Sequence, residues 1–187
     1  RQGLDHEKVV DGAVALVNAR GAEALTLAEL AAHFHVRTPS LYNHIEGLNG
    51  LRRDLTVLAL HRLRQQVASA AAGRAQRDAL EAVAKAYRAW ALENPGLYPF
   101  VVRRDGADDS SAASARHDLH MALLAALRGY NLTGARDAAH LVEATLHGFV
   151  SIELCGGFSE EVEASQSFVV VVALLHNALL KSLPAEN

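Results

Sequence analysis

Val9, Val10, Ala13, Val14 and Val17 recur at helical spacing, the pattern that gathers side chains on one face of a helix. Asp5 stands ahead of them as a cap, and Gly21 follows Arg20 as a stop. The spacing returns in Leu27, Leu30, Ala31 and Phe34. Thr26 opens this second helix and Glu29 stands three residues on, so TLAE predicts a capping box, hydroxyl to one backbone N–H and carboxylate back to another. After a turn at His35-Val36-Arg37, Thr38 is placed to cap again. Pro39 then takes the first helical position, where its missing N–H costs nothing. Two short helices joined by a tight turn make a helix-turn-helix pattern.

Beyond Asn49 a long helix is predicted to about Ala72, with Leu51, Leu55, Leu58 and Leu63 inward and Gly73 at its end. A helix over Arg77–Glu93 is broken by Asn94-Pro95-Gly96, and LYPFVV gives a short helical turn. Arg103 to Ser114 is polar and loop-like, the best candidate for a mobile stretch. Helices follow from about Ala115 to Arg128, Thr133 to Leu154 and Ser159 to Leu183. Only Phe168–Val172 (FVVVV) argues locally for strand. The expected fold is all-α: a three-helix head over residues 1–54 and a second helical domain over 55–187. In the last two helices Leu141, Ala144, Thr145, Gly148 and Ile152 form one stripe, and Phe168, Val171, Val172, Leu175 and Leu179 another. Val169, Val170, Leu174 and Ala178 are apolar too, and a helix apolar on nearly all sides is buried on nearly all sides. One face packs on its own domain; the other calls for a second copy of the chain, the alternative being a central helix of a monomer.

Half of the 187 residues are hydrophobic, enough for a sizeable core, and the few prolines fit a helical chain. Net charge is −3, and residues 1–54 hold six Lys/Arg against seven Asp/Glu, so bulk electrostatics gives no support to nucleic-acid binding. The apolar run in the last helix stops at His176 and Asn177, too short to cross a membrane. No signal peptide is legible, and the single cysteine, Cys155, cannot form an internal disulfide, so a reducing, cytoplasmic setting is expected. Cys155 reads as a small buried hydrophobe rather than a nucleophile. Ser110 and Ser111 lack a G-x-S-x-G elbow and no glycine-rich phosphate loop occurs, so no catalytic set is expected. His117 and His120 share a face but have no cysteine or carboxylate pair at zinc-ligand spacing. No metal or other cofactor is expected. His140 and His147 read as hydrogen-bonding core or interface residues.

On a helical wheel TPSLYNHI turns Leu41 and Ile45 inward. Pro39, Ser40 and Asn43 point the other way, with Tyr42 and His44 on the flanks. A helix in a major groove needs small or amide-bearing groups at its crest and hydrogen-bonding groups beside the phosphate walls. A surface helix in an unrelated bundle, with Tyr42 packed on a neighbour, would show the same periodicity.

The longer stretch LTLAELAAHFHVRTPSLYNHIEGLNGL resembles the DNA-binding signature of the TetR family of bacterial transcriptional repressors, with Thr26, Ala31, Val36, Leu41, Tyr42, His44, Ile45 and Leu51 matching. The resemblance implies that Thr38, Pro39, Ser40 and Asn43 face bases and that Tyr42 and His44 hold phosphates; Thr26 and Arg37 complete the expected DNA-binding set. Two residues depart from the pattern. His35 stands where a glycine is usual, and Leu48 stands where a lysine usually meets phosphate, with Glu46 nearby. TLHGFVSIELCGGF resembles a TetR subgroup with a Trp-His-Gly signature, His147 and Gly148 matching and Leu146 replacing the tryptophan. Gly148 is then expected to serve close helix packing.

The family likeness further implies a homodimer on a palindromic double-stranded DNA operator, released by a small hydrophobic ligand. Tyr87, Trp90, Tyr98, Phe100, Met121, Leu124 and His147 are the candidate ligand-lining residues. Leu141, Ala144, Gly148, Ile152, Phe168, Val171, Val172, Leu175 and Leu179 are the candidate dimer residues. The rival from another class is a helical small-molecule binding protein or enzyme with a vestigial helix-turn-helix.

Overall fold

The structure is a computed structural model that describes residues 3–102, 110–130, 132–158 and 163–181. Among the described residues every regular element is helical. In chain order these are α1 (His6–Arg20), α2 (Leu27–His33), α3 (Thr38–Leu41), α4 (Gly47–Ala71), α5 (Gln76–Glu93), α6 (Tyr98–Val102), α7 (Ser110–Ala126), α8 (Ala135–Leu154) and α9 (Ala164–Leu180). Short 3-10 turns lie at Ala22–Ala24 and Arg128–Tyr130. The chain divides into two compact units, one holding the residues up to Arg62 and those from Asn94 to Ala115, the other the remainder. Helices α4 and α7 each contribute to both.

In the first unit α1 begins where the sequence places it. The Lys8 N–H donates to Asp5 Oδ1 at 2.9 Å, a bond that, with the Lys8 ammonium, holds the Asp5 carboxyl below its ordinary pKa. Val9, Ala13 and Val17 are fully buried, as are Leu30 of α2, Leu41 of α3 and Leu51 and Leu55 of α4. Gly12 is glycine because a Cβ there would run into the Phe34 ring, and Gly96 because a Cβ would overlap the Val17 carbonyl. The Leu97 N–H donates to Asn18 Oδ1 at 3.2 Å, so the segment before α6 is held against the end of α1.

The cap of α2 is half of the expected box. The Glu29 N–H donates to Thr26 Oγ1 at 3.1 Å, but the Glu29 carboxylate turns to the Arg20 guanidinium, which offers two charge-assisted bonds where the Thr26 N–H offers one. At its other end α2 closes in a Schellman turn. The Val36 N–H reaches the Ala31 carbonyl at 3.0 Å and the His35 N–H the Ala32 carbonyl at 3.1 Å. The turn needs one left-handed residue, and His35 supplies it at φ 54°. Helix α3 then starts one residue earlier than expected. Arg37 is its N-cap and Thr38 lies inside it, so the Thr38 hydroxyl does not cap and Pro39 falls at the second helical position. Regular helix stops at Leu41; Tyr42, Asn43 and His44 form a turn, with Ile45 N–H bonded to the Leu41 carbonyl at 3.1 Å.

In the second unit α5, α8 and α9 pack together around buried Leu80, Ala84, Tyr87, Val142, Leu146, Phe149, Phe168 and Val172. Arg88 on α5 binds Glu153 on α8, its Nε donating to Oε2 at 2.7 Å, and its guanidinium lies 5.0 Å from the centre of the Phe168 ring on α9. Glu153 raises the Arg88 pKa against the opposing effect of burial. The valine run at 168–172 is helical, because Phe168, Val172, Leu175 and Leu179 share the buried face of α9; that burial outweighs local strand propensity. Ser110 to Ser114, expected as loop, belong to the first unit and open α7, where Ala112 and Ala115 are buried three residues apart. The rest of that expected loop, 103–109, lies outside the described residues. Cys155, expected buried, is exposed at the C-cap of α8. No helix among the described residues is long and apolar enough to cross a membrane.

His35→Gly is expected to leave stability unchanged or raise it by up to about 1 kcal/mol, since a left-handed L-residue costs about 1–2 kcal/mol while added glycine loosens the unfolded chain. His35→Val is expected to lower it; urea unfolding of the two variants reads the difference. Arg88→Met strands Glu153, whose side chain is 14% exposed. A loss of about 2 kcal/mol is expected, below the 3–5 of a fully buried pair. Glu153→Leu added to Arg88→Met should recover part of it in the same denaturation assay.

Candidate nucleic-acid interface

The Schellman turn fixes how α3 leaves α2, and the two buried side chains fix its roll. Leu41 is fully buried and Ile45 is 6% exposed. With that back anchored, Pro39 and Asn43 are exposed, Ser40, Thr38 and His44 are half-buried, and Tyr42 is 59% exposed. Thr26 and Arg37 are exposed as well. The eight predicted DNA-binding side chains therefore all reach the surface of one unit. The Tyr42 ring does not pack into a neighbour as a bundle helix would require.

Beside this crest lies a recess of about 530 Å³ lined by His6, Tyr42, Asn43, His44, Ile45, Glu46, Gly50, Arg53, Asp54, Val57 and Ser111. Its polar groups are engaged in pairs. The Arg53 Nη2 donates to Glu46 Oε2 at 2.6 Å, and His6 Nε2 lies 3.0 Å from Asp54 Oδ2. Arg20 and Glu29 pair on α1 and α2, and Arg62 reaches Asp11 at 3.9 Å. Much of the acidic charge counted in this part of the sequence is thus engaged with cations. Arg37, at the start of α3, has no carboxylate partner among the described residues. Arg53 was not among the sequence candidates; the Arg52-Arg53 doublet just after the recognition segment was the available signal. Leu48 is half-buried in the first turn of α4.

The other candidate sets separate by burial. Tyr87, Trp90, Tyr98 and Phe100 are buried, while Leu124 and His147 are half-buried. Burial pushes the His147 imidazole below its ordinary pKa, against the opposing pull of Glu143. Met121 is 42% exposed and does not belong with the buried aromatics; it points away from the face of α7 that carries Leu119 and Leu123. Tyr98 and Phe100 belong to the first unit, the other five to the second.

Of the dimer candidates, Leu141, Ala144 and Ile152 are exposed on α8, and Gly148 lies between them with nothing within 4 Å of where its Cβ would be. Gly148 therefore serves no close packing among the described residues. Phe168, Val172, Leu175 and Leu179 are buried in their own unit and are not available to a partner. The free apolar face of α9 is instead Val170, Leu174 and Ala178, with Val171 at its edge. Any four residues spaced three and four apart satisfied the sequence pattern, and only packing distinguishes one face from the other.

Comparison with known proteins adds an independent line. The domain family described as "tetracyclin repressor-like, C-terminal domain" matches residues 80–175. Rv0681 of Mycobacterium tuberculosis, named an HTH-type transcriptional regulator, is 31% identical over 92% of this chain and 80% of its own length. YobS of Bacillus subtilis, likewise named an HTH-type transcriptional regulator, is 30% identical over 96% of this chain and 95% of its own. A TetR variant from Acinetobacter baumannii AYE, solved in complex with minocycline, shares the fold with a TM-score of 0.70 at 19% identity, covering 96% of this chain and 98% of that one. With a helix-turn-helix head whose α3 surface is exposed and a second helical unit that matches the family's C-terminal domain, this chain belongs to the TetR family of transcriptional regulators.

Proposed function

We propose that the protein is a homodimeric repressor that binds a palindromic operator and is released by a small hydrophobic molecule. The observation that carries this is the division of TPSLYNHI: Leu41 and Ile45 buried, Pro39, Tyr42 and Asn43 exposed. In this reading Thr38, Pro39, Ser40 and Asn43 meet base edges, where an asparagine amide can pair with adenine and a proline ring can meet a thymine methyl. Tyr42, His44, Thr26 and Arg37 meet the phosphates on either side.

A dimer is supported by the uncovered apolar stripes. Leu141 and Ile152 on α8 are each 49% exposed, and Leu174 on α9 is 63% exposed. Two heads related by a two-fold axis match two half-sites about 34–36 Å apart. The ligand would be held by the buried aromatic residues Tyr87 and Trp90 with half-buried His147. That the Acinetobacter protein of this fold was solved in complex with minocycline supports a drug-sized ligand. Because α4 contributes to both units, a shift of its second part is carried by one continuous helix to the head. A coupling of about 1–3 kcal/mol is typical of such switches.

Tyr42→Ala with His44→Ala separates this reading from a small-molecule binding protein or enzyme with a vestigial head. Operator affinity, measured by gel shift on genomic fragments retained by the purified protein, should fall at least about tenfold, or 1.4 kcal/mol, while the oligomeric state holds. Undiminished binding would refute the interface. Leu48→Lys should tighten binding and steepen the log–log salt dependence by about 0.9 for each phosphate gained. Leu174→Glu should yield monomers in analytical ultracentrifugation.

A further inference from the structure

Away from the head, the second unit brings together three side chains that are far apart in sequence. His120 stands on α7, and His140 and Glu143 stand one turn apart on α8. One donor atom of each lies within 4.8 Å of the other two. His120 Nδ1 is 3.3 Å from Glu143 Oε2. In a tetrahedral zinc site, with metal–ligand bonds of about 2.0–2.2 Å, neighbouring donors lie roughly 3.4 Å apart. The His120–Glu143 edge therefore already has the spacing of a coordination edge. Burial holds this edge in place, with the His120 side chain 14% and the Glu143 side chain 33% exposed.

His140 is the member that must move. Its ring stacks on that of His120 with centroids 4.0 Å apart and planes 25° from parallel. An imidazole lone pair lies in the ring plane, so two stacked rings cannot both address one ion. His140 is exposed, and turning its ring about the broad terminal torsion costs little. A His120–Glu143 ion pair alone would account for one imidazole and leave the second without a role; a cation uses all three donors at once.

We propose that His120, His140 and Glu143 form a site for a borderline divalent cation, zinc being the best match, with the remaining position open to water or another ligand atom. Two imidazoles and one carboxylate suit Zn²⁺ and its neighbours rather than Mg²⁺ or Ca²⁺, which take oxygen. The ion would tie α7 to α8. The sequence alone did not show it, because His120 and the HLVE run at His140–Glu143 are separated by a turn and a helix start.

The test is titration of the tag-free, metal-stripped full chain with Zn²⁺ against a chromophoric chelator, together with Co²⁺ absorption spectra. The proposal expects one ion per chain and Co²⁺ d–d bands of low symmetry. His140→Ala and Glu143→Gln should each weaken binding at least about tenfold and abolish those bands. His117→Ala, an exposed histidine of α7 outside the cluster, should change neither. Zn²⁺ should raise the melting temperature of the parent chain and not that of His140→Ala; circular dichroism confirms that both are folded. No binding, or binding unaltered by His140→Ala and Glu143→Gln, would overturn the site, and several weak ions per chain unaffected by either change would mean scattered surface histidines only.

Discussion

The left-handed turn at His35 is the constraint from which the recognition surface follows. Two backbone hydrogen bonds close it, Val36 to Ala31 and His35 to Ala32, and they set the direction in which the chain leaves α2. Only then can Leu41 and Ile45 reach the core of the first unit together, and only their burial turns Pro39 and Asn43 to solvent. The side chain at position 35 takes no part in the core. Its task is to accept φ 54°, which glycine would do without strain and histidine does at a modest cost.

How far the sequence disclosed this depended on whether a feature was local. Asp5, Gly21, Thr26 and Gly73 act within one turn of backbone, and each marks a helix boundary to within two residues. Where a side chain had distant options, local rules failed. Glu29 could close its own cap or reach Arg20 and did the latter. The valines at 168–172 favour strand in isolation and become helix because four residues on one side of α9 are buried. The choice between the two apolar faces of α9 was invisible for the same reason, and so was the meeting of His120 with Glu143.

Charge is a second case in which counting misleads. An excess of acid over base in the head argued against a polyanionic partner. In three dimensions Glu29 and Glu46 are each matched to an arginine and Asp54 meets the His6 imidazole, while Arg37 beside the crest has no carboxylate partner among the described residues. A nucleic acid meets the local field at the contact surface, screened within about 10 Å at ordinary salt, and not the sum over the chain. The half-buried Leu48, in place of a cation, leaves that field weaker than a lysine there would.

The outward stripe of Val170, Leu174 and Ala178 bears on more than assembly. Apolar surface left in water is a standing free-energy cost that only another surface can remove. In the proposed dimer a second copy covers it, and the folding equilibrium would then depend on how many molecules share the compartment. Dilution would act as a mild denaturant, and the abundance of the protein would become one of the variables that hold it together.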